Sequence, residues 1–306
     1  MTPSSQFSER SAFTLHELLL VILILILVVL LGSSVVARQR HTAQFTHWQN
    51  LSREMRQDEH LRLYYTFDAS DPYYLTNSAE APEPDSNPFP SGPAASLPDG
   101  VDGEYRGDAM PIAGAGRWDH KSAAFFDGHY DFIALRRQIS YPPPTQMTVA
   151  CWFRSNIEQA QILLSLSRKQ GWTLYRQSLH YPFAPGLYLK DTAGEESWIL
   201  GTEMIKDENW HLVIAIYDMD TEHPYMAIYL DGKEVAKENL TQEQLFSSQK
   251  PDTLSFANIG VGASILEYGG EAHPDSWFAG EIDELSVWDR VLSMEEIRLL
   301  HDQGAP

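Results

Sequence analysis

The sequence predicts a mainly β protein: an antiparallel sandwich carried on a long N-terminal helix that crosses a membrane. Three observations predict it. Residues 18–31 form an unbroken apolar run, and no charge falls between Leu18 and Ala37. From His60 onward the chain breaks into short, β-branched and aromatic segments separated by Gly, Pro, Asn and Asp, the texture of a many-stranded sandwich. Helix signals at both ends return only near the C-terminus, over residues 294–302.

The first element follows from length. Residues 18–37 rise about 1.5 Å each and span about 30 Å, the thickness of a bilayer's hydrocarbon. A secretory signal peptide would be shorter and end in a small-residue cleavage site; here the run continues into Val35, Val36 and Ala37. Glu17 sets a carboxylate against the start of the run, where it needs a partner. A plain anchor gives no reason for it. The helix then continues as an amphipathic stalk over residues 38–60. Phe45, Trp48, Leu51 and Met55 recur at helical spacing among polar residues, a stripe that needs a surface, either the chain's own head or neighbouring stalks. No Gly or Pro lies between Ser33 and Asp71, so the helix is expected to stop near Glu59, where the stripe runs out.

The head begins with residues 61–67. Residues 79–104, with six prolines, form a surface excursion. Strands are expected at 123–127, 147–154, 162–167, 172–176, 187–190, 198–201, 211–217, 226–230, 234–236, 258–261 and 282–288. Asp231-Gly232 is a hairpin signal. In the closing helix Ser293 caps, Glu296 completes a capping box and Gly304 ends it.

Charge narrows the function. The chain carries 42 acidic against 22 basic residues, net −20. The first 60 residues balance five acids with five arginines, so the whole excess lies in the head. Such a head repels nucleic acid and anionic lipid surfaces, and neither is its partner. Cys151 is the single cysteine, which rules out an internal disulfide and fits a buried small hydrophobe. No nucleophile elbow, zinc-protease helix, P-loop or cysteine–histidine metal spacing is present. His211, beside Trp210 in a strand, is expected to be structural.

Two resemblances add to this reading. Ser11-Ala12-Phe13-Thr14-Leu15-His16-Glu17-Leu18-Leu19 resembles the N-terminal motif of type IV prepilins and type II secretion pseudopilins. The resemblance implies a leader over residues 1–12 and cleavage by a prepilin peptidase between Ala12 and Phe13. It also implies N-methylation of Phe13, a membrane helix over 13–37 with its N-terminus inside, and Glu17 paired with the Phe13 amine of a neighbouring pilin-like subunit. Ala12 stands where the family usually has Gly, and His16 where an apolar residue is usual. Ser34 stands where many members carry a kinking Pro, which implies a straighter helix.

The second resemblance covers residues 61–306. Tyr64-Tyr65-Thr66-Phe67-Asp68, residues 123–132, Met147-Thr148-Val149-Ala150-Cys151-Trp152-Phe153, residues 209–213, residues 228–233 and residues 278–293 together resemble a LamG-like, concanavalin A-like jelly roll. That implies a structural or ligand-bridging Ca²⁺, for which Asp68, Asp71, Asp283 and Glu284 are the candidates; acids that cap turns are the alternative. It also raises carbohydrate or extracellular protein as a ligand. Tyr73, Tyr74, Tyr181, Trp198, Tyr268 and Trp277 are the aromatics in loop or edge contexts. Glycosidases of related fold use an E-x-D-x-x-E strand. Glu281 and Asp283 occupy the first two places and Ser286 the third, so the full carboxylate set is missing. The combined expectation is a non-enzymatic minor pilin or pseudopilin of the bacterial inner membrane, displaying a binding head outside the cytoplasm. An uncleaved membrane-anchored adhesin is the first alternative and a glycoside hydrolase the second.

Overall fold

The computed structural model describes residues 15–68, 71–80, 102–135, 145–155, 161–166, 171–177, 184–190, 196–205, 207–240, 257–261 and 277–306. Ala12, Phe13, Tyr181, Tyr268 and most of the proline-rich excursion lie outside them.

Helix α1, Leu15–Arg56, is one unbroken element of 42 residues, about 63 Å long. It unites the expected membrane span and stalk. Leu15–Ser33 is long and apolar enough to cross a membrane, and none of it is buried. The helix stops at Arg56, earlier than the stripe suggested. The N–H groups of Gln57 and Asp58 donate back to Glu54 and Met55, and the Asp58 carboxylate then accepts from the His60 N–H. An aspartate turn ends the helix where no Gly or Pro is available.

The strands follow in chain order. They are β1 Leu61–Tyr65, β2 Tyr74–Leu75, β3 Gly103–Arg106, β4 Met110–Ile112, β5 Ala123–Asp127, β6 Phe132–Leu135, β7 Gln146–Arg154 and β8 Gln161–Leu166. Then come β9 Gly171–Gln177, β10 Gly186–Lys190, β11 Glu196–Leu200, β12 His211–Asp218, β13 Tyr225–Leu230, β14 Lys233–Asn239, β15 Ala257–Ile259 and β16 Ala279–Trp288. Helix α2, Met294–Gly304, closes the chain. Every strand in the expected set is present. Strands β2, β3, β4 and β6 are additional: each has four residues or fewer, too short to show a period.

The first sheet has the order β14-β13-β12-β7-β16-β5-β4, with β1 also paired to β16. The second has the order β11-β10-β9-β8-β15-β6-β3-β2. Their facing sides make the main core, in which Val149, Cys151, Phe153, Val213, Tyr217, Ile282 and Leu285 meet Leu75, Ile133, Leu164, Leu174, Leu187 and Ile259. The outer side of the first sheet is also covered. Ala150, Trp152, Leu212, Ile214, Ile216 and Trp288 pack there with Trp48, Leu51 and Met55 of α1 and Ile297 and Leu300 of α2. Burial on both sides explains why β7, β12 and β13 read as continuous apolar runs, since alternation needs one wet face. The stalk stripe therefore docks on the chain's own head and forms a third layer.

Helix α2 has the expected capping box: Ser293 Oγ accepts from Glu296 N–H while the Glu296 carboxylate accepts from Ser293 N–H. Its end differs from expectation, because Gly304 stays in the last turn and Ala305 caps it. The reason is close packing: a Cβ on Gly304 would lie 2.8 Å from Arg117 Nη1 and 2.9 Å from Trp152.

Candidate functional site

The densest chemistry lies where α1, the loop after β4, β16 and α2 converge. Its origin is a bulge in β16. Ile282 pairs with Phe153 and Leu285 with Cys151, so Asp283 and Glu284 together face one residue of β7. Ile282 and Leu285 are three apart and would point to opposite faces of a regular strand. The extra residue lets both enter the main core and turns two adjacent carboxylates to the outer side. Glu284 takes a left-handed backbone, φ 69°.

Two buried cations meet these carboxylates. Arg117 donates to Asp283 Oδ2 from its N–H at 2.8 Å and from Nε at 3.2 Å. Its Nη2 lies 2.9 Å from Glu284 Oε2, and Nη1 donates to the Gly304 carbonyl at 2.6 Å. The guanidinium sits 4.4–4.5 Å from the ring centres of Trp48, Trp118 and Trp152. Lys121 Nζ lies 2.8 Å from Asp283 Oδ1, 3.3 Å from Glu284 Oε1, 3.1 Å from Asp68 Oδ2 and 2.8 Å from the Thr66 carbonyl. Trp48 Nε1 donates to Glu284 Oε1 at 2.8 Å and so ties the stalk into the cluster. The loop must pass very close: a Cβ on Gly116 would lie 2.8 Å from the Lys121 carbonyl and 3.0 Å from Asp283 Oδ2.

Burial opposes the Lys121 charge, but Asp283, Glu284 and Asp68 outweigh it and hold the ammonium above the ordinary lysine range. Burial pushes the Glu284 carboxyl up, against the pull of Lys121 and Arg117. Charges this deep persist only when paired and hydrogen-bonded, and removing one partner costs several kcal/mol (about 3–5). The cluster is a joint between stalk and head.

Of the four expected calcium ligands, Asp68, Asp283 and Glu284 come together, around Lys121. Asp71 does not join them: it accepts from the N–H groups of Tyr73 and Tyr74 and closes a turn. Among the described residues, no group of three or more His, Cys, Asp or Glu side chains is arranged to hold a metal ion. Glu281 lies on Arg154, with contacts of 3.1 and 3.3 Å, and Asp283 is sealed from solvent. These two carboxylates do not flank an open cleft, as glycoside hydrolysis requires. His211 is structural, bridging Asp231 and Asp207 at 2.8 Å each. Glu17 lies exposed in the first turn of α1. Sequence reasoning missed Arg117, Lys121, Trp118 and Trp152. The available signal was a cationic, Trp-bearing loop in a strongly acidic chain.

Among the aromatics, Trp277 is buried against Val261 and Phe132, whereas Tyr73 is exposed in a turn. Trp198 is 58% exposed on the edge strand β11, in register opposite Tyr188 of β10. The inner neighbours Leu187 and Ile199 form the matching pair in the core, so Trp198 and Tyr188 share the outer side of the second sheet.

The chain is similar in structure to the binding domain of Paraclostridial Mosquitocidal Protein 1, at 12% identity and a TM-score of 0.55 over 80% of this chain and 52% of that one. It is also similar to the botulinum neurotoxin serotype D binding domain, at 10% identity and a TM-score of 0.51 over 80% and 52% of the two chains. A third, the binding domain of botulinum neurotoxin DC in complex with SialylT, gives 12% identity and a TM-score of 0.52 over 80% and 51%. The chain thus spans about half the length of these structures, and at such identities the likeness is one of fold. No curated protein sequence matches the chain. A laminin G-type family model matches residues 127–298, more than half of the sequence, from β6 through β16 and into the start of α2. The chain belongs to the concanavalin A-like lectin/glucanases superfamily.

Proposed function

We propose that this chain is a membrane-anchored, prepilin-like subunit, a minor pilin or pseudopilin, that presents a ligand-binding jelly roll. The observation that carries it is the single helix α1, which runs from an unburied apolar span into a half locked in the head. Between Ala37, the expected end of the membrane span, and Phe45 lie seven helical residues, 38–44, about 10 Å of spacer. That exceeds the screening length of about 8 Å in physiological salt, so the acidic head stands clear of anionic lipid charge. Cleavage after Ala12 would leave an ammonium on Phe13, four residues before Glu17. In a bundle of parallel helices, Glu17 of one subunit pairs with the Phe13 amine of the next. The rival is an anchored binding protein that keeps its leader. Mass analysis of the membrane form separates them: a chain starting at N-methylated Phe13 is expected, and one starting at Met1 contradicts the processing.

For the head, the supported role is binding of a carbohydrate or an extracellular protein. The exposed Trp198 indole, beside the half-buried Tyr188 on the same side of the sheet, offers an aromatic face suited to a sugar ring or an apolar side chain. Three structures that the chain resembles in fold are binding domains. A glycan array with the intact chain tests the first ligand class. Trp198→Ala is expected to weaken any hit by about tenfold or more, equivalent to about 1.4 kcal/mol, without changing the melting temperature. Unaltered binding would move the site elsewhere.

A further inference from the structure

The oxygens around Lys121 have the composition of a hard-cation site: one backbone carbonyl, from Thr66, and three carboxylates, from Asp68, Asp283 and Glu284. Calcium takes this kind of donor set, at 2.3–2.6 Å from each of six to eight oxygens. Here the centre is held by an ammonium, 2.8–3.3 Å from four of them. The donors come from the start and the end of the head, 215 residues apart between Asp68 and Asp283, so one central cation closes the domain. A calcium ion entering this cage would meet the Lys121 charge at contact distance, with the Arg117 guanidinium on the far side of the same carboxylates. The residues present do not fit Ca²⁺ beside Lys121.

We propose that Lys121 is the resident cation of this cage. It replaces a divalent ion with a covalently attached one, so the joint between the two ends of the head is independent of calcium. Trimming Lys121 to Ala deletes the ammonium and its stem while leaving all four oxygen donors, and turns the cage into a calcium site. Asp68, half-exposed at the rim, gives the ion its entry path.

The test is thermal unfolding of the intact chain in detergent, in millimolar CaCl₂ and in EDTA, for the native sequence and for Lys121→Ala. The native protein is expected to melt at the same temperature in both. Lys121→Ala is expected to melt lower in EDTA and to recover by about 5 °C or more in CaCl₂, with no recovery in NaCl of equal ionic strength. Adding Asp68→Asn to Lys121→Ala should reduce that recovery. A native protein that melts higher in calcium than in EDTA overturns the proposal. So does a Lys121→Ala chain that is indifferent to calcium, or that fails to fold in its presence.

Discussion

The two halves of α1 obey different rules. Over Leu18–Leu31 the helix is apolar all round, and none of Leu15–Ser33 is buried by the described residues. Over its last three turns only a stripe is apolar, and Trp48, Leu51 and Met55 of that stripe are buried. A helix that is apolar on every side needs an apolar medium, whereas a striped helix needs one surface. The first half is thus long and apolar enough to cross a membrane, and the second belongs to the head. The comparison also shows that covering apolar area is only part of the docking. The stripe contributes an indole N–H to Glu284 and a ring face to Arg117, so the stalk completes the charged joint. The second end of the dock is ionic too, with Arg290 held between Asp58 and Glu296 at 2.6 Å each.

The largest expected effect comes from truncating the stripe at the joint. Trp48→Ala removes a buried ring, one hydrogen bond to a buried carboxylate and one face of the Arg117 cage. A loss of about 3–5 kcal/mol in head stability follows, read as a fall in melting temperature. Leu23→Ala, in the uncovered half, should leave the head's melting temperature unchanged. Equal effects at the two positions would erase the distinction between the halves.

A smaller effect is expected away from the joint. Burial pulls the His211 imidazolium down, but its bonds to Asp231 and Asp207 outweigh that and raise its pKa above 6.5. A raised folded pKa stabilises below the unfolded value, and the gain is lost as pH rises through the folded value. Unfolding between about pH 6 and pH 9 should show this loss, and His211→Gln should remove it while leaving the Trp48 effect intact. A pH profile that persists in His211→Gln would assign the titration to another group.

Most of the strands were legible because two covered faces write long apolar runs. The 147–154, 211–217 and 226–230 segments needed no partner to be recognised. The capping box of α2 was legible for the same kind of reason, since its signal is local. The joint was not. Asp283 and Glu284 stood out as acids in a strand, but nothing near them in sequence points to Arg117, Lys121 or Trp48, which are brought in from 166, 162 and 236 residues away. The bulge that aims both carboxylates outward is set by the pairing of β16 with β7, a long-range property. The stripe at Phe45, Trp48, Leu51 and Met55 showed that α1 needed a surface, while only the fold showed that the surface is the head.

Amide hydrogen exchange on the intact chain in detergent tests the central claim most directly. If the second half of α1 is part of the head, amides of residues 45–56 exchange as slowly as those of β7 and β16, and Trp48→Ala accelerates all three together. Exchange in 45–56 that is fast, or that changes in Trp48→Ala while β7 and β16 do not, would contradict it and return the stalk to a free helix.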